Sequence, residues 1–303
     1  MDYPKISVIT TCFNKELYVR ACIESVLASQ YPNLEYIIVD DHSTDASWTI
    51  ICEYSAVNER IKSFRNEVNI GDYPNRNKAL GMATGDYIKF IDADDLIYPY
   101  SLHYFVHHME QNKCAGLCLT VVPDVNQVFP LTLDFRDLMQ TLYIEKKRYF
   151  YEGPTSSFIR RAPLEQVRGF RESRMSGDFE TWHSLASVAQ VLLLPKGSLT
   201  FWRLHEQTEG GIHRKNINFS VQYFDFSISF LEEQCRKGID LSEELRAAKT
   251  DFNRWCFFVL RSRGFRTFSE IASRNKLPIP QLLVWSVAFY GGRPFTALRG
   301  KFF

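Results

Sequence analysis

Four short strand-like runs, each followed by a polar turn and a helical pattern, constrain this fold more than any other feature of the sequence. Lys5–Thr10 (KISVIT), Leu34–Val39 (LEYIIV) and Tyr87–Ile91 (YIKFI) read as buried strands, and Ile61–Phe64 (IKSF) as a weaker one. After the first, Leu17, Ala21, Ile23, Val26 and Leu27 mark a helix that Asn14 is placed to cap. Asn69–Asn75, with Gly71 and Pro74, reads as a loop, Arg76–Ala83 as a helix, and Pro99 as the first turn of another. Strands alternating with helices predict a mostly parallel, Rossmann-like α/β sheet covered on both faces. In such sheets ligands bind beyond the carboxyl ends of the strands. Thr10-Thr11 closes the first run, Asp40-Asp41 the second, and Asp92 to Asp95 the fourth, so three polar clusters share one rim.

Beyond Gly116 the pattern loosens. A turn is expected at Gly153-Pro154, strands at Ser157–Arg160 and Val191–Leu194, and a helix at Glu180–Ala189. From Asn216 the chain reads as helices rich in aromatic and basic residues. The expected division is a catalytic domain over 1–215 and a helical region over 216–303. A net charge of +1 excludes a general polyanion binder. Seven scattered cysteines, with only Cys114 and Cys118 close, read as buried thiols in a reducing compartment. MDYPKISVIT enters a strand at once without the regions of a signal peptide. No apolar run approaches the roughly 18 residues of a membrane span. The expectation is a cytoplasmic protein.

The acids carry the chemistry. Carboxylates two apart, as in Asp92 and Asp94, can converge on one hard cation through a short turn. Mg²⁺ or Mn²⁺ bridging such a carboxylate to a diphosphate would neutralise charge as a sugar–phosphate bond breaks. A solvated acidic turn that caps the next helix is the alternative. Asp40 and Asp41 can accept hydrogen bonds from a base or ribose, or serve with Ser43 and Thr44 as the N-cap of the helix that follows. Asp178 and Glu180, in SGDFETWHSLA, either complement a helix dipole or supply a general base. His205 lies in FWRLHEQTEG. G-x-G-x-x-G after the first strand, a P-loop and a G-x-S-x-G elbow are all missing, which removes support for dehydrogenases, P-loop NTPases and α/β-hydrolases.

SVITTCFNKE, VDDHSTD, NIGDYPNRNKAL, GDYIKFIDADD, SGDFETW and WRLH occur in one order over about residues 4–208. In that order they resemble the family 2 glycosyltransferases of the GT-A fold. The resemblance implies a metal-dependent, inverting transferase. It would move a sugar from a nucleotide-diphosphate donor, a UDP-sugar, to a hydroxyl of a glycan or lipid-linked glycan. Cell-surface polysaccharide or lipopolysaccharide synthesis is the implied setting. By the same resemblance Thr10, Thr11, Asn14, Asp41 and Arg76 contact the nucleotide, with Asp41 on a uracil-type base. Asp92 contacts the ribose, Asp94 is the main ligand of Mn²⁺ or Mg²⁺, and His205 completes metal or diphosphate binding. Asp178 is the catalytic base; Asp40, Asp95 and Glu180 are secondary candidates.

Three departures stand out. Gly177 replaces the acid that usually precedes the base. His42 and Arg168 each stand where a glycine is common. No Q-x-x-R-W segment occurs, which argues against a processive synthase. Two other classes compete: a sugar-1-phosphate nucleotidyltransferase, which would want a Gly-rich basic loop after the first strand, and a non-catalytic sugar-nucleotide or glycan-binding module. Retention of Asp94 and Asp178 argues against the module.

From residue 253 onward, Arg254, Arg261, Arg263, Arg266, Arg274, Lys276, Arg293, Arg299 and Lys301 face a single acid, Glu270. Aromatic residues from Trp255 to Phe303 are interleaved with them. Such a segment suits an anionic membrane surface, here the cytoplasmic face of the inner membrane, or packing onto the catalytic domain or a second copy in a homo-oligomer. No motif supports nucleic acid.

Overall fold

The computed structural model describes residues 3–123, 127–173, 176–197, 199–205 and 217–274. Two compact units divide the chain, Met1–Arg214 and Lys215–Phe303.

The first unit is built on one sheet. Ile6–Cys12 (β1), Leu34–Asp40 (β2), Ile61–Arg65 (β3) and Tyr87–Phe90 (β4) are its parallel part, in the order β3-β2-β1-β4. Every residue of β1, β2 and β4 is buried. That is why these strands read as continuous apolar runs instead of alternating ones. The helices Val19–Leu27 (α1), Ser47–Ser55 (α2) and Asp72–Leu80 (α3) connect them.

Leu96–Ile97 (β5) and the helix Ser101–Gln111 (α4) follow the 92–95 turn. The sheet then continues with Ala115–Val121 (β6), Leu131–Leu133 (β7), Ser157–Arg160 (β8) and Gln190–Pro195 (β9). Between β7 and β9 lie the helices Phe135–Tyr143 (α5), Arg161–Gln166 (α6) and Gly177–Ala186 (α7). The full order is β3-β2-β1-β4-β8-β6-β9-β7, with β8 antiparallel to both β4 and β6. A two-residue strand, Thr200–Phe201 (β10), pairs antiparallel with β5 and so carries residues 202–205 back to the turn after β4.

Lys89, in the middle of β4, is fully buried. Its Nζ donates to the carbonyl oxygens of Thr155 and Ser157 at 2.5 and 2.8 Å and lies 4.8 Å from the Phe105 ring centroid. Burial pushes its pKa down to about 7.

Several expectations are corrected. Asn14 does not cap α1, which starts at Val19 after Tyr18 with no side-chain cap. Asn14 instead takes a left-handed φ of 52° and its Oδ1 accepts from the Thr44 N–H and Oγ1. Asp40 does not cap α2, whose N-cap is Ala46. Helix α3 begins at Asp72, four residues before the expected start, because Pro74 fits a first turn whose N–H groups have no intrahelical acceptor anyway. His42 and Arg168 both have left-handed φ, 64° and 66°, which explains why a glycine suits those positions.

The second unit contains Ile217–Arg236 (α8) and Ser242–Arg274 (α9), separated by Gly238 at φ 88°. Val221, Trp255, Cys256 and Val259 form its buried cluster, with Phe224, Phe252, Phe258 and Leu260 packed on it. Trp255 and Phe258 of the expected membrane segment therefore face a helix-pair core. Arg254 pairs with Asp251 at 3.6 Å. Lys276, Arg293, Arg299, Lys301 and the aromatics from Trp285 to Phe303 lie outside the described residues. Among the described residues no helix is long and apolar enough to cross a membrane.

Candidate active site

The carboxyl ends of β1, β2 and β4 form one rim, and most of the expected residues meet there. Strand alternation sorts the first pair. Thr10 is wholly buried, with Oγ1 3.0 Å from the Tyr36 hydroxyl and 3.9 Å from Cys22 Sγ. Its side chain belongs to the core under α1, which leaves its backbone to face a nucleotide at the rim. Thr11 points to the opposite face, where its Oγ1 donates to Asp72 Oδ1 at 3.5 Å.

At the end of β2 the acids are tied to the backbone. Asp40 Oδ2 accepts the Ser43 N–H at 3.0 Å and lies 3.3 Å from Arg65 Nε. Asp41 Oδ1 accepts from Asn66 Nδ2 at 2.7 Å and the Ile70 N–H at 2.9 Å; its Oδ2 accepts the Gly71 N–H at 2.8 Å. A carboxylate offers about four lone-pair sites, so among the described residues one acceptor position on Asp41 is left.

After β4 the partners are cationic side chains. Asp92 Oδ1 accepts from Arg76 Nη2 at 2.7 Å, and the same nitrogen lies 3.0 Å from Asp72 Oδ1. Arg76 is buried, and its Nε and Nη1 have no acceptor among the described residues. A buried guanidinium with open donors is costly to the fold, and it suits an anionic ligand. Burial raises the pKa of Asp92 against the opposing pull of Arg76. Asp94 Oδ2 meets both Lys15 Nζ at 2.5 Å and His205 Nε2 at 2.8 Å. Burial works to raise its pKa, and the bonds from Lys15 and His205 outweigh it, so Asp94 stays below the usual carboxylate range. Asp95 Oδ1 accepts the Arg203 N–H at 2.9 Å; burial and the neighbouring Asp92 charge push its pKa up to about 7. His205 stacks on Tyr18 with ring centroids 4.6 Å apart.

Asp178 is the second residue of α7. Its Oδ1 accepts the Phe179 N–H at 2.7 Å, and Tyr73 is also hydrogen-bonded to it. Burial lifts its pKa to about 6, against the hydrogen bonds and the charge of nearby Arg76. Glu180, by contrast, spends Oε1 on Ser176 Oγ at 2.6 Å and Oε2 on Ser173 Oγ at 3.0 Å. It fastens the start of α7. Gly177 is a packing requirement: a Cβ there would lie 2.3 Å from the Arg171 carbonyl oxygen and 2.8 Å from the Tyr73 ring.

Sequence reasoning missed Lys15, Asp72, Tyr73 and Arg203. Lys15 and Asp72 lie inside quoted motifs, yet their partners are Asp94, 79 residues on, and Arg76 with its own distant acid. A basic side chain just past a strand end, opposite a later acidic turn, was the available signal.

Among the described residues no group of three or more His, Cys, Asp or Glu could hold a metal ion. Asp94 and His205 are a pair. They face each other across a hydrogen bond of 2.8 Å. A carboxylate oxygen and an imidazole nitrogen would together suit a divalent cation that a phosphate ligand completes.

Comparison with known proteins bears on the family and the fold. The model of the family described as Glycosyl transferase family 2 matches residues 7–168. EpsH of Bacillus subtilis (strain 168), named as a glycosyltransferase, is 30% identical over 99% of this chain and 90% of its own length. The Escherichia coli WfaP, named a UDP-Glc:α-D-GlcNAc-diphosphoundecaprenol β-1,3-glucosyltransferase, is 37% identical over 36% of this chain and 42% of its own. Among solved structures, residues 1–349 of S. aureus TarS with UDP-GlcNAc superpose with a TM-score of 0.65 at 19% identity, covering 85% of this chain and 74% of that one. The Pyrobaculum calidifontis mannosyltransferase PcManGT with GDP-Man and Mn²⁺ gives 0.61 at 16%, covering 97% and 89%. These two likenesses show a shared fold.

Proposed function

The chain belongs to glycosyl transferase family 2, and on that premise we propose a divalent-metal-dependent, inverting transfer from a UDP-sugar to a hydroxyl of a glycan or lipid-linked glycan in cell-surface polysaccharide or lipopolysaccharide synthesis. The observation that carries this reading is one coupled set of charges. Asp178 adjoins Tyr73 and feels Arg76 and Asp72; Arg76 binds Asp92; and the 92–95 turn leads to Asp94 and His205. A base and a diphosphate-binding group are thereby held in one electrostatic unit.

In this reading the one free acceptor position of Asp41 takes a base N–H, with Thr11 and Asn14 beside it. Asp92 takes the ribose, and the open donors of Arg76 take phosphate oxygens. Asp94 and His205 hold Mn²⁺ or Mg²⁺, which when bound offsets the charge of the leaving diphosphate. Asp178 receives the acceptor hydroxyl proton on its carboxylate. The oxygen bonds to the anomeric carbon on the face opposite the breaking bond to the phosphate oxygen, and the nucleoside diphosphate leaves with that electron pair. The glycosyltransferase WfaP, named for UDP-Glc, and the TarS complex with UDP-GlcNAc support uridine as the base. WfaP's name, with its diphosphoundecaprenol acceptor, supports a lipid-linked glycan.

Thermal unfolding with a panel of nucleotide sugars, with and without Mn²⁺, tests the donor. Ligand stabilisation follows RT ln(1 + [L]/Kd), so a true donor raises the melting temperature progressively with its concentration. GDP-sugars shifting it more than UDP-sugars would remove uridine.

A further inference from the structure

Lys15 stands apart from the acids of the rim. It lies on the loop between β1 and α1, and its backbone is braced. Its N–H donates to Ser47 Oγ at 2.8 Å, and its carbonyl accepts from the N–H groups of Tyr18 and Val19, each at 2.9 Å. The preceding residue, Asn14, is fixed by the 44 turn. A braced backbone aims a flexible four-carbon stem at one place, and that place is Asp94 Oδ2. The ammonium and carboxylate side chains are 21% and 13% exposed. Solvent therefore screens the pair less than it would a surface pair.

The oxygen it occupies is the one that faces His205. An ammonium at 2.5 Å from that oxygen excludes a cation from it and repels a divalent ion with twice the force of two unit charges. The repulsion disappears if the ammonium finds a nearer anion. A nucleoside diphosphate supplies one, and hard cations are characteristically bound by one or two carboxylates together with substrate phosphates.

Resting on the reading of Asp94 and His205 as the cation-binding pair, we propose that Lys15 is a resident counter-cation that holds Asp94 until a nucleoside diphosphate arrives. It then moves to a phosphate oxygen and yields the carboxylate to the divalent metal. Lys15 is in this sense a positioning residue that couples two ligands. Metal and nucleotide each strengthen the other's binding, and by linkage the factor is the same in both directions.

The test is direct Mn²⁺ binding to the full chain, read from the free-ion electron paramagnetic resonance signal, with and without UDP. The proteins are the natural chain, Lys15→Met, Lys15→Arg and Asp94→Asn, each first checked for a cooperative thermal transition. The natural chain is expected to bind Mn²⁺ weakly alone and about tenfold or more tightly with UDP, within the usual range of coupling. Lys15→Met is expected to bind Mn²⁺ alone about tenfold more tightly and to lose most of the enhancement by UDP. Lys15→Arg, which keeps the charge, is expected to behave like the natural chain. If Asp94→Asn abolishes UDP-dependent Mn²⁺ binding while Lys15→Met leaves Mn²⁺ binding alone unchanged or weaker, the counter-cation role falls and the metal site stands. Lys15→Arg matching Lys15→Met overturns the charge argument. Mn²⁺ binding that never depends on UDP or on Asp94 overturns the metal reading and this inference together.

Discussion

Asp40 and Asp41 at the end of β2 and the acids after β4 are alike in the sequence, and the molecule binds them with different partners. The β2 pair takes the backbone N–H groups of Ser43, Ile70 and Gly71, which cannot leave without unfolding a loop, and adds the side chains of Arg65 and Asn66. Asp92 and Asp94 are held by the side chains of Arg76, Lys15 and His205, which can rotate away or change partner. Burial leaves Asp92, Asp95 and Asp178 easier to protonate than free carboxylates, so the fold leaves an electrostatic deficit there. Fixed neutral donors hold an acid rigidly in place, whereas mobile cations leave it open to a change of partner.

The largest effect belongs to the exchangeable side. Asp94→Ala should lower transfer by at least about 10³-fold and weaken nucleotide binding, and excess EDTA should reproduce the loss in the natural chain. Full turnover in EDTA would break the comparison at its centre.

Asp178→Asn keeps the shape and removes basicity. A drop of about 10²–10⁴-fold in kcat is expected, with donor affinity nearly intact. Glu180→Gln, whose partners are two serines, should leave kcat close to normal and cost stability. The reverse pattern in single-turnover kinetics would transfer the base role to Glu180.

Asp41→Asn sharpens the other side. It removes charge from three donated hydrogen bonds, so a loss of about 1–3 kcal/mol in folding stability is expected. Urea titration should show a lower midpoint with an unchanged slope.

Asp178 has a further signature in pH. Its folded pKa is lifted from 3.8 to about 6, so the fold favours its protonated form. The stability this contributes is complete below about 3.8 and is lost as pH rises through about 6. Melting temperatures of Asp178→Asn minus the natural chain should therefore increase between pH 4 and pH 7 and level off above. A difference that shrinks with pH would mean that Asp178 is stabilised as an anion.

The smallest effect is conformational. Arg168 sits at φ 66°, which costs a side chain about 1–2 kcal/mol, partly offset by the entropy glycine adds to the unfolded chain. Arg168→Gly should raise stability by up to about 1 kcal/mol, or roughly 2–4 °C in thermal unfolding.

How far the sequence reached follows the same division between local and distant causes. The strands β1, β2 and β4 were legible because burial on both faces makes them apolar throughout. Strand β6 is just as buried, but Gly116 breaks its run and Cys114 precedes it, so the pattern dissolves. Nothing local marks β8 as the antiparallel strand between β4 and β6. Thr10 and Thr11 look equivalent until the pleat turns one inward to Tyr36 and Cys22. Asp94 announces itself by its neighbours in the chain, whereas Lys15 acquires meaning only from an acid 79 residues away.

The place of β8 also sets a timetable for a growing chain. Strand β4 ends at Phe90, and the strand that pairs with its outer edge begins at Ser157. At about 5–20 residues/s of synthesis that edge waits roughly 3–13 s for its partner. An apolar edge open for that long invites pairing with any extended chain nearby. Lys89 sits in the middle of the waiting strand. Its charge discourages a foreign strand, in the manner of a gatekeeper. The native segment dismisses that guard by offering the carbonyl oxygens of Thr155 and Ser157 to the ammonium as β8 arrives.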